Sequence, residues 1–221
     1  MKRRNHFHLY RRLLWILLFI IWTAAVRSVD CQPIGPENST VGFSALNSSF
    51  HKLTGLHMGL YLLTDWLSLI PVFVMMFFAG IGLRQWFGRK HILKVDPDIL
   101  LLGLFFLTVF AAYLLFEVHP VNYRPVLING FLETSYPSST TLLVLTVMSA
   151  SIQQIRRRIK RLPLRKLLII SATAFSAIMV LLRTISGVHW LTDIIGGILL
   201  SAALMDLYAL SLSILTESNK H

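Results

Sequence analysis

Three short stretches of this 221-residue chain carry side chains that could do chemistry together. They are Asn122-Tyr123-Arg124-Pro125, Tyr136-Pro137-Ser138-Ser139-Thr140, and the run from Arg183 to Asp193. Proline suits the first position of a helix, so Pro137 marks a helix start whose leading N–H groups lack partners within the helix. Those donors, the Ser138 and Ser139 hydroxyls and the positive end of the helix dipole make a site for an anion, with Thr140 beside them. Arg124 and Arg183 can each grip two phosphate oxygens in a planar fork. His189 and Asp193 stand four apart and share a helix face. An aspartate there can fix the imidazole tautomer and stabilise its charged form, leaving the other ring nitrogen as nucleophile or base. Two arginines, an anion-binding helix start and an aspartate-oriented histidine describe a site for phosphoryl transfer.

The elements that must position these groups lie in a bilayer. The chain is 55% apolar and 14% charged, with a mean hydropathy of +0.65; a soluble domain is about 25% charged. A net charge of +11 taken alone suggests nucleic acid. The basic residues, however, sit in short clusters between long apolar runs, which argues against a nucleic-acid partner. Cys31 is the single cysteine, so no intrachain disulfide forms. No spacing argues for a bound metal, and no cofactor is expected. A spanning helix needs roughly 20 apolar residues. Six segments approach that length: Leu13–Val26, Trp66–Leu83, Ile99–Phe116, Ser139–Ile155, Leu167–Leu182 and Leu191–Leu215. The first is short and reads either as a retained anchor, which we favour, or as the apolar part of a signal peptide.

Lysine and arginine bias sets the orientation. With six spans, 17 of the 21 basic residues fall on one side, which is then cytoplasmic, as are both termini. Arg27, Lys52, Arg124 and Arg183 remain for the other face. The expectation is therefore an all-α, polytopic helical bundle, a single membrane domain over 1–221, in the cell membrane with its active site on the extracytoplasmic face. Two outer connections are long. Residues 27–65 form the first, and its partly apolar stretch 43–63 reads either as an interfacial helix or, as we favour, as a covering loop without chemistry. Residues 117–138 are dense in Pro, Asn, Tyr and Ser, and a loop of that length in a compact domain is functional or disordered.

The third stretch reads R-x5-H-x3-D and continues into Gly196-Gly197. It resembles the third signature of the type 2 phosphatidic acid phosphatase superfamily, which includes membrane lipid phosphate phosphatases. The first signature, K-x6-R-P, is half present: Arg124-Pro125 match, and Glu117 stands at the lysine position. The second, P-S-G-H, keeps Pro137-Ser138, with Ser139 and Thr140 in place of Gly and His. The resemblance covers 117–215. It implies that His189 attacks phosphorus to form a phosphohistidine, that Asp193 orients it, and that Arg124, Arg183 and Ser138 bind phosphate, without a metal. The substrate it implies is a membrane lipid.

The departures shape the function. Family members use the second-signature histidine to protonate the leaving group, which Thr140 cannot do at neutral pH. A lipid diphosphate expels a phosphate monoester, whose pKa of about 6 lets it leave unprotonated. A polyprenyl diphosphate is therefore the favoured substrate. His119, near Arg124 in sequence, is a candidate substitute acid. The rival reading is a catalytically weak relative that binds phospholipid headgroups or regulates a membrane partner. A transporter fits hydropathy alone and lacks the paired broken helices that class shows. Asp65 and Glu117 read as solvated carboxylates at the membrane boundary, and oligomeric state has no signal.

Overall fold

The computed structural model describes residues 2–218. Eight α-helices follow in order: α1 Lys2–Ser28, α2 Ser44–Thr54, α3 Met58–Leu67, α4 Leu69–Arg89, α5 Pro97–Val118, α6 Ser139–Arg158, α7 Leu162–Ile185 and α8 Leu191–Ser218. Prolines in the first turns of α5 and α7 start those helices, since the N–H they lack has no acceptor there. α6 starts differently from the expectation. Ser138 is its N-cap, with the hydroxyl accepting from Thr141 N–H, so Pro137 precedes the cap instead of opening the helix.

Among the described residues, four stretches are long and apolar enough to cross a membrane: Met58–Arg89, Pro97–Val118, Leu162–Ile185 and Leu191–Glu217. The first joins α3 to α4 and begins eight residues before the expected Trp66. Six spans were expected, and the two that fall outside this set do so for different reasons. In α1 the described apolar part, Leu14–Ser28, is shorter than a span. α6 has 20 residues, roughly 30 Å of helix, but is rich in Ser, Thr and Gln. It lies against α4, α5, α7 and α8, and half its side chains are buried. A helix surrounded by helices needs no apolar exterior. Its hydroxyls bond back to its own carbonyls, Thr146 to Leu142 at 2.6 Å and Ser151 to Val147 at 2.7 Å, which satisfies them away from water.

Outward-facing positions of the surrounding helices are apolar, among them Phe73 and Phe77 on α4, Leu104 and Leu107 on α5, and Ile170 and Leu181 on α7. That surface suits hydrocarbon. Inside, Phe105, Leu142, Val147, Leu200 and Leu204 form the core, and Phe105 stacks on Tyr208 with centroids 4.6 Å apart.

One end of the bundle gathers the close of α5 and α7 and the start of α6 and α8. Two connections cover it. Between α5 and α6 the chain folds back as an irregular hairpin, Tyr123 opposite Thr134 and Ile128 opposite Phe131. It turns at Asn129-Gly130, both at positive φ (51° and 84°), the turn that matches strand twist. The other connection carries α2, and the stretch 43–63 is neither one interfacial helix nor a plain loop, since α2 and α3 are separated at residues 55–57. His57 N–H donates to Ser186 O at 2.9 Å there. Gly187, at φ +70°, lies so close that a Cβ would meet Gly55 O at 2.0 Å. This contact ties the first connection to the α7–α8 turn.

Candidate active site

His189 lies in the turn between α7 and α8, and its side chain is 1% exposed. Neither ring nitrogen has a hydrogen-bond partner of good geometry. Asp193 faces it one turn on, with Nδ1 to Oδ2 at 3.8 Å, beyond hydrogen-bond length. The carboxylate is engaged elsewhere: Oδ2 accepts from Trp190 N–H at 2.9 Å, and Oδ1 from Asn122 Nδ2 at 3.2 Å. The Trp190 contact is half of a capping box and holds the first turn of α8. Asp193 thus builds the platform on which His189 stands, as well as flanking its ring.

Two asparagines complete that platform. Asn47 on α2 is fully buried; its Nδ2 donates to Thr192 Oγ1 at 3.0 Å and its Oδ1 accepts from Thr192 N–H at 3.3 Å. A free N–H in the first turn of α8 is therefore satisfied by a residue 145 positions away. α6 and α8 meet closely beneath, where Ser138 N–H donates to Asp193 O at 3.0 Å. A Cβ on Gly196 would lie 2.5 Å from the Tyr136 ring, so glycine permits that approach.

The arginines arrive on different elements and share one aromatic ring. Arg124 lies on the hairpin and Arg183 in the last turn of α7; their guanidinium carbons stand 5.8 and 4.8 Å from the centre of Tyr61. Arg183 is 1% exposed and donates to Thr64 Oγ1 at 3.1 Å. Arg124 is paired through Nε with Glu133 Oε2 at 3.0 Å, while its Nη1 has no hydrogen-bond partner. Burial pushes the His189 pKa well below the usual imidazole value, Arg124 and Arg183 push the same way, and the Ser135 backbone opposes them. A neutral imidazole, the nucleophilic form, is the outcome.

A cavity of about 280 Å³ opens onto these groups, lined by His189, Arg124, Ser139, Ser135, Glu117 and Glu133 among others. A second, of about 310 Å³, is mostly apolar and lined by Phe106, Phe110, Val147, Thr140 and Asp65. The two share Tyr113, Ser139 and Leu142 as walls. The expected site residues therefore divide. His189, Arg124 and Ser139 line one cavity, Arg183 shares the Tyr61 ring with Arg124 without lining that cavity, and Thr140 faces the apolar space. Ser138 is fully buried with its hydroxyl acting as a helix cap. His119 ends α5 and lines neither cavity. Among the described residues no group of three or more His, Cys, Asp or Glu could hold a metal ion.

Sequence reading missed Asn47, Tyr61, Thr64 and Glu133. Glu133 gave no signal: extended from the Asn129-Gly130 turn, the register of Ile128 opposite Phe131 would set Arg124 opposite Ser135, yet Tyr123 pairs with Thr134 and Arg124 N–H donates to Glu133 O. The other three come from the segment expected to be a cover without chemistry.

Residues 106–214 match the model of the PAP2 superfamily. The structure is similar to the crystal structure of a transmembrane PAP2-type phosphatidylglycerolphosphate phosphatase from Bacillus subtilis, with a TM-score of 0.57 and 20% identity over 90% of this chain and 94% of that one. No curated protein matches the chain.

Proposed function

Since residues 106–214 of this chain belong to the PAP2 superfamily, we propose that it is a lipid phosphatase working through a phosphohistidine on His189. The observation that carries this is a buried imidazole with no hydrogen-bond partner of good geometry, sharing a cavity with an unsatisfied Arg124 Nη1. Buried polar groups are nearly always paired, so an orphaned set that faces a cavity awaits a ligand. An anion with several oxygens suits both groups. The adjoining apolar cavity suits a lipid chain, with Ser139 at the junction.

In the first step His189 Nε2 forms a bond to phosphorus as the bond from phosphorus to the leaving oxygen breaks. Arg124 holds the phosphoryl oxygens, and Arg183, over the same Tyr61 ring, adds positive charge that favours their developing negative charge. Water then attacks the phosphohistidine, releasing inorganic phosphate and restoring the neutral ring. Asp193 flanks the ring and stabilises the charge it gains.

The finer reading is a polyprenyl diphosphate substrate. Thr140 offers no proton to a leaving alkoxide, whose conjugate acid resembles water at a pKa of about 15.7. A diphosphate avoids that need, because the expelled phosphate monoester titrates at about 6. The test is kcat/KM for a prenyl diphosphate against phosphatidic acid and phosphatidylglycerophosphate, in wild type and Thr140→His. Preference for the diphosphate in wild type is expected, together with a gain on monophosphates in Thr140→His. Equal use of the monophosphates by wild type refutes the diphosphate reading. No phosphate release from any lipid points instead to a headgroup-binding relative, a reading that Glu117 at the lysine position favours.

The arrangement in the membrane follows the charge bias. The chain forms one six-span domain over 1–221, α1 and α6 included, with its termini cytoplasmic and His189 extracytoplasmic. In a Cys31→Ser background, a cysteine at position 130 should label from outside intact cells and one at 161 should not. The reverse pattern overturns the orientation.

A further inference from the structure

Arg124 and Arg183 bring like charges to one site from the hairpin and from α7, and like charges in a buried space repel. What joins them is α3, which lies outside the stretch that matches the superfamily. Tyr61 and Thr64 stand three apart on α3 and so share one helix face, and α3 packs on α7. The buried Thr64 hydroxyl donates to Tyr61 O at 2.9 Å, which leaves its lone pairs to accept from Arg183 Nη1 at 3.1 Å. Tyr61, half-buried, has its ring centre 4.8 Å from the Arg183 guanidinium carbon and 5.8 Å from that of Arg124. Both lie within the roughly 6 Å over which an aromatic face attracts a cation. The start of α3 is fixed in turn by the bond from His57 N–H to Ser186 O, just past the end of α7.

An aromatic partner has a chemical consequence that a carboxylate lacks. A carboxylate neutralises a guanidinium by accepting from its N–H groups, the donors that a phosphate needs. A ring attracts the cation through its quadrupole and takes up none of those donors as a lone-pair acceptor would. The site shows that outcome: Arg124 Nη1 and Arg183 Nε have no hydrogen-bond partner of good geometry, although both side chains are buried. Glu133 meets Arg124 on one edge alone, through Nε. Resting on the reading of this cavity as a phosphoryl-transfer site, we infer that Tyr61 is a positioning residue, whose ring holds Arg124 and Arg183 as a pair. It offsets their mutual repulsion and leaves Arg124 Nη1 free for a phosphoryl oxygen. Arg183 does not line the cavity, so it acts there through its charge, and Tyr61 fixes the place from which that charge is felt. The ring carries this role, and the phenol hydroxyl does not.

The test uses the full chain purified in detergent. Binding of orthovanadate, a phosphate-shaped oxyanion, is measured by calorimetry, and kcat/KM is measured on a prenyl diphosphate and on phosphatidylglycerophosphate. Tyr61→Leu should weaken vanadate binding and kcat/KM by about tenfold each, the scale of a desolvated cation over a ring. Tyr61→Phe keeps the ring and should restore most of both. The decisive series places phenylalanines with one, two and three ring fluorines at position 61, which drain the negative face of the ring with little change of shape. Vanadate affinity should fall stepwise along that series while the melting temperature stays constant. A ring that only packs gives the same affinity throughout. Flat affinity along the series, or a Tyr61→Phe that loses as much as Tyr61→Leu, overturns the inference while leaving the phosphatase reading intact. A wild type that neither binds vanadate nor releases phosphate from either lipid removes that reading and this inference with it.

Discussion

The two ends of the bundle use the same residue types to opposite effect. At the end away from His189, charges meet charges. Arg158 contacts Asp98 at 2.7 Å and Asp96 at 3.3 Å, and its Nε donates to Gln154 Oε1 at 2.9 Å. Asp96 also takes Arg89 at 2.9 Å, and the fully buried Gln154 donates to the Tyr208 hydroxyl at 3.1 Å. At the His189 end, Arg124 Nη1, Arg183 Nε, Asn122 Oδ1 and both imidazole nitrogens lack hydrogen-bond partners of good geometry. A satisfied polar network joins helices α4, α5, α6 and α8. An unsatisfied one of similar composition is costly to keep, and it persists where a ligand completes it. Composition cannot separate the two, but partner accounting does.

Breaking each end should therefore register on different instruments. His189→Ala should abolish turnover, by at least about 10³-fold in kcat, with a melting temperature at or above that of wild type because an unsatisfied buried ring is gone. Arg124→Ala and Arg183→Ala should cost about 10²–10³-fold, the usual scale for one electrostatic group at a developing oxyanion. Retention of most turnover by His189→Ala sinks the nucleophile assignment.

The converse experiment is Gln154→Leu. It strands the Tyr208 hydroxyl and one donor of Arg158, and leaving a buried polar group unpaired costs about 1–3 kcal/mol. Thermal stability in detergent should fall while kcat of the folded fraction stays at the wild-type value. A change in kcat with unchanged melting would mean that the two ends are coupled and that the contrast is false.

Much of this contrast was legible in the sequence, and the rest was hidden for physical reasons. His189, Asp193 and Arg183 fall within 11 residues, so local spacing brought them together. The Lys and Arg clusters told the two ends apart. The helix α6 was found from its apolar residues, yet its polar face, which makes it central, does not announce that the helix is surrounded. Asn47 could not be found, because its role exists only through contact with Thr192, far along the chain. Thr140 was assigned to phosphate by its neighbours in sequence, whereas one helical step of about 100° turns it toward the apolar cavity. Glu133 was hidden as well, because the Asn129-Gly130 turn alone sets Arg124 opposite Ser135, and the pairing is offset by two residues where Tyr123 meets Thr134.

The smallest effect concerns protons, and it asks which neighbour governs His189. Asp193 at 3.8 Å favours the charged ring, but its oxygens are committed to Trp190 and Asn122. Burial first, then Arg124 and Arg183, favour the neutral ring, with the Ser135 backbone opposing. Glu117 and Glu133 face the same cavity, Glu133 already paired with Arg124. The balance lowers the pKa below its ordinary value of about 6.5. The sign of the stability effect follows. As pH falls through 6.5 the unfolded chain takes up a proton that the folded chain refuses, so stability is lost from there down to the folded pKa and is full above 6.5. Wild type should therefore lose melting temperature between about pH 6.5 and 5 relative to His189→Gln, which has no such proton to refuse. Activity should keep its acid limb below 6.5 as well, although a phosphate monoester titrates near 6, so the melting comparison belongs to the imidazole alone. Melting curves that fall in parallel, or a wild type that gains on His189→Gln as pH drops, would show that Asp193 holds the ring charged. The nucleophile would then be deprotonated only above neutrality, and the cavity's arginines would count for less than their distances imply.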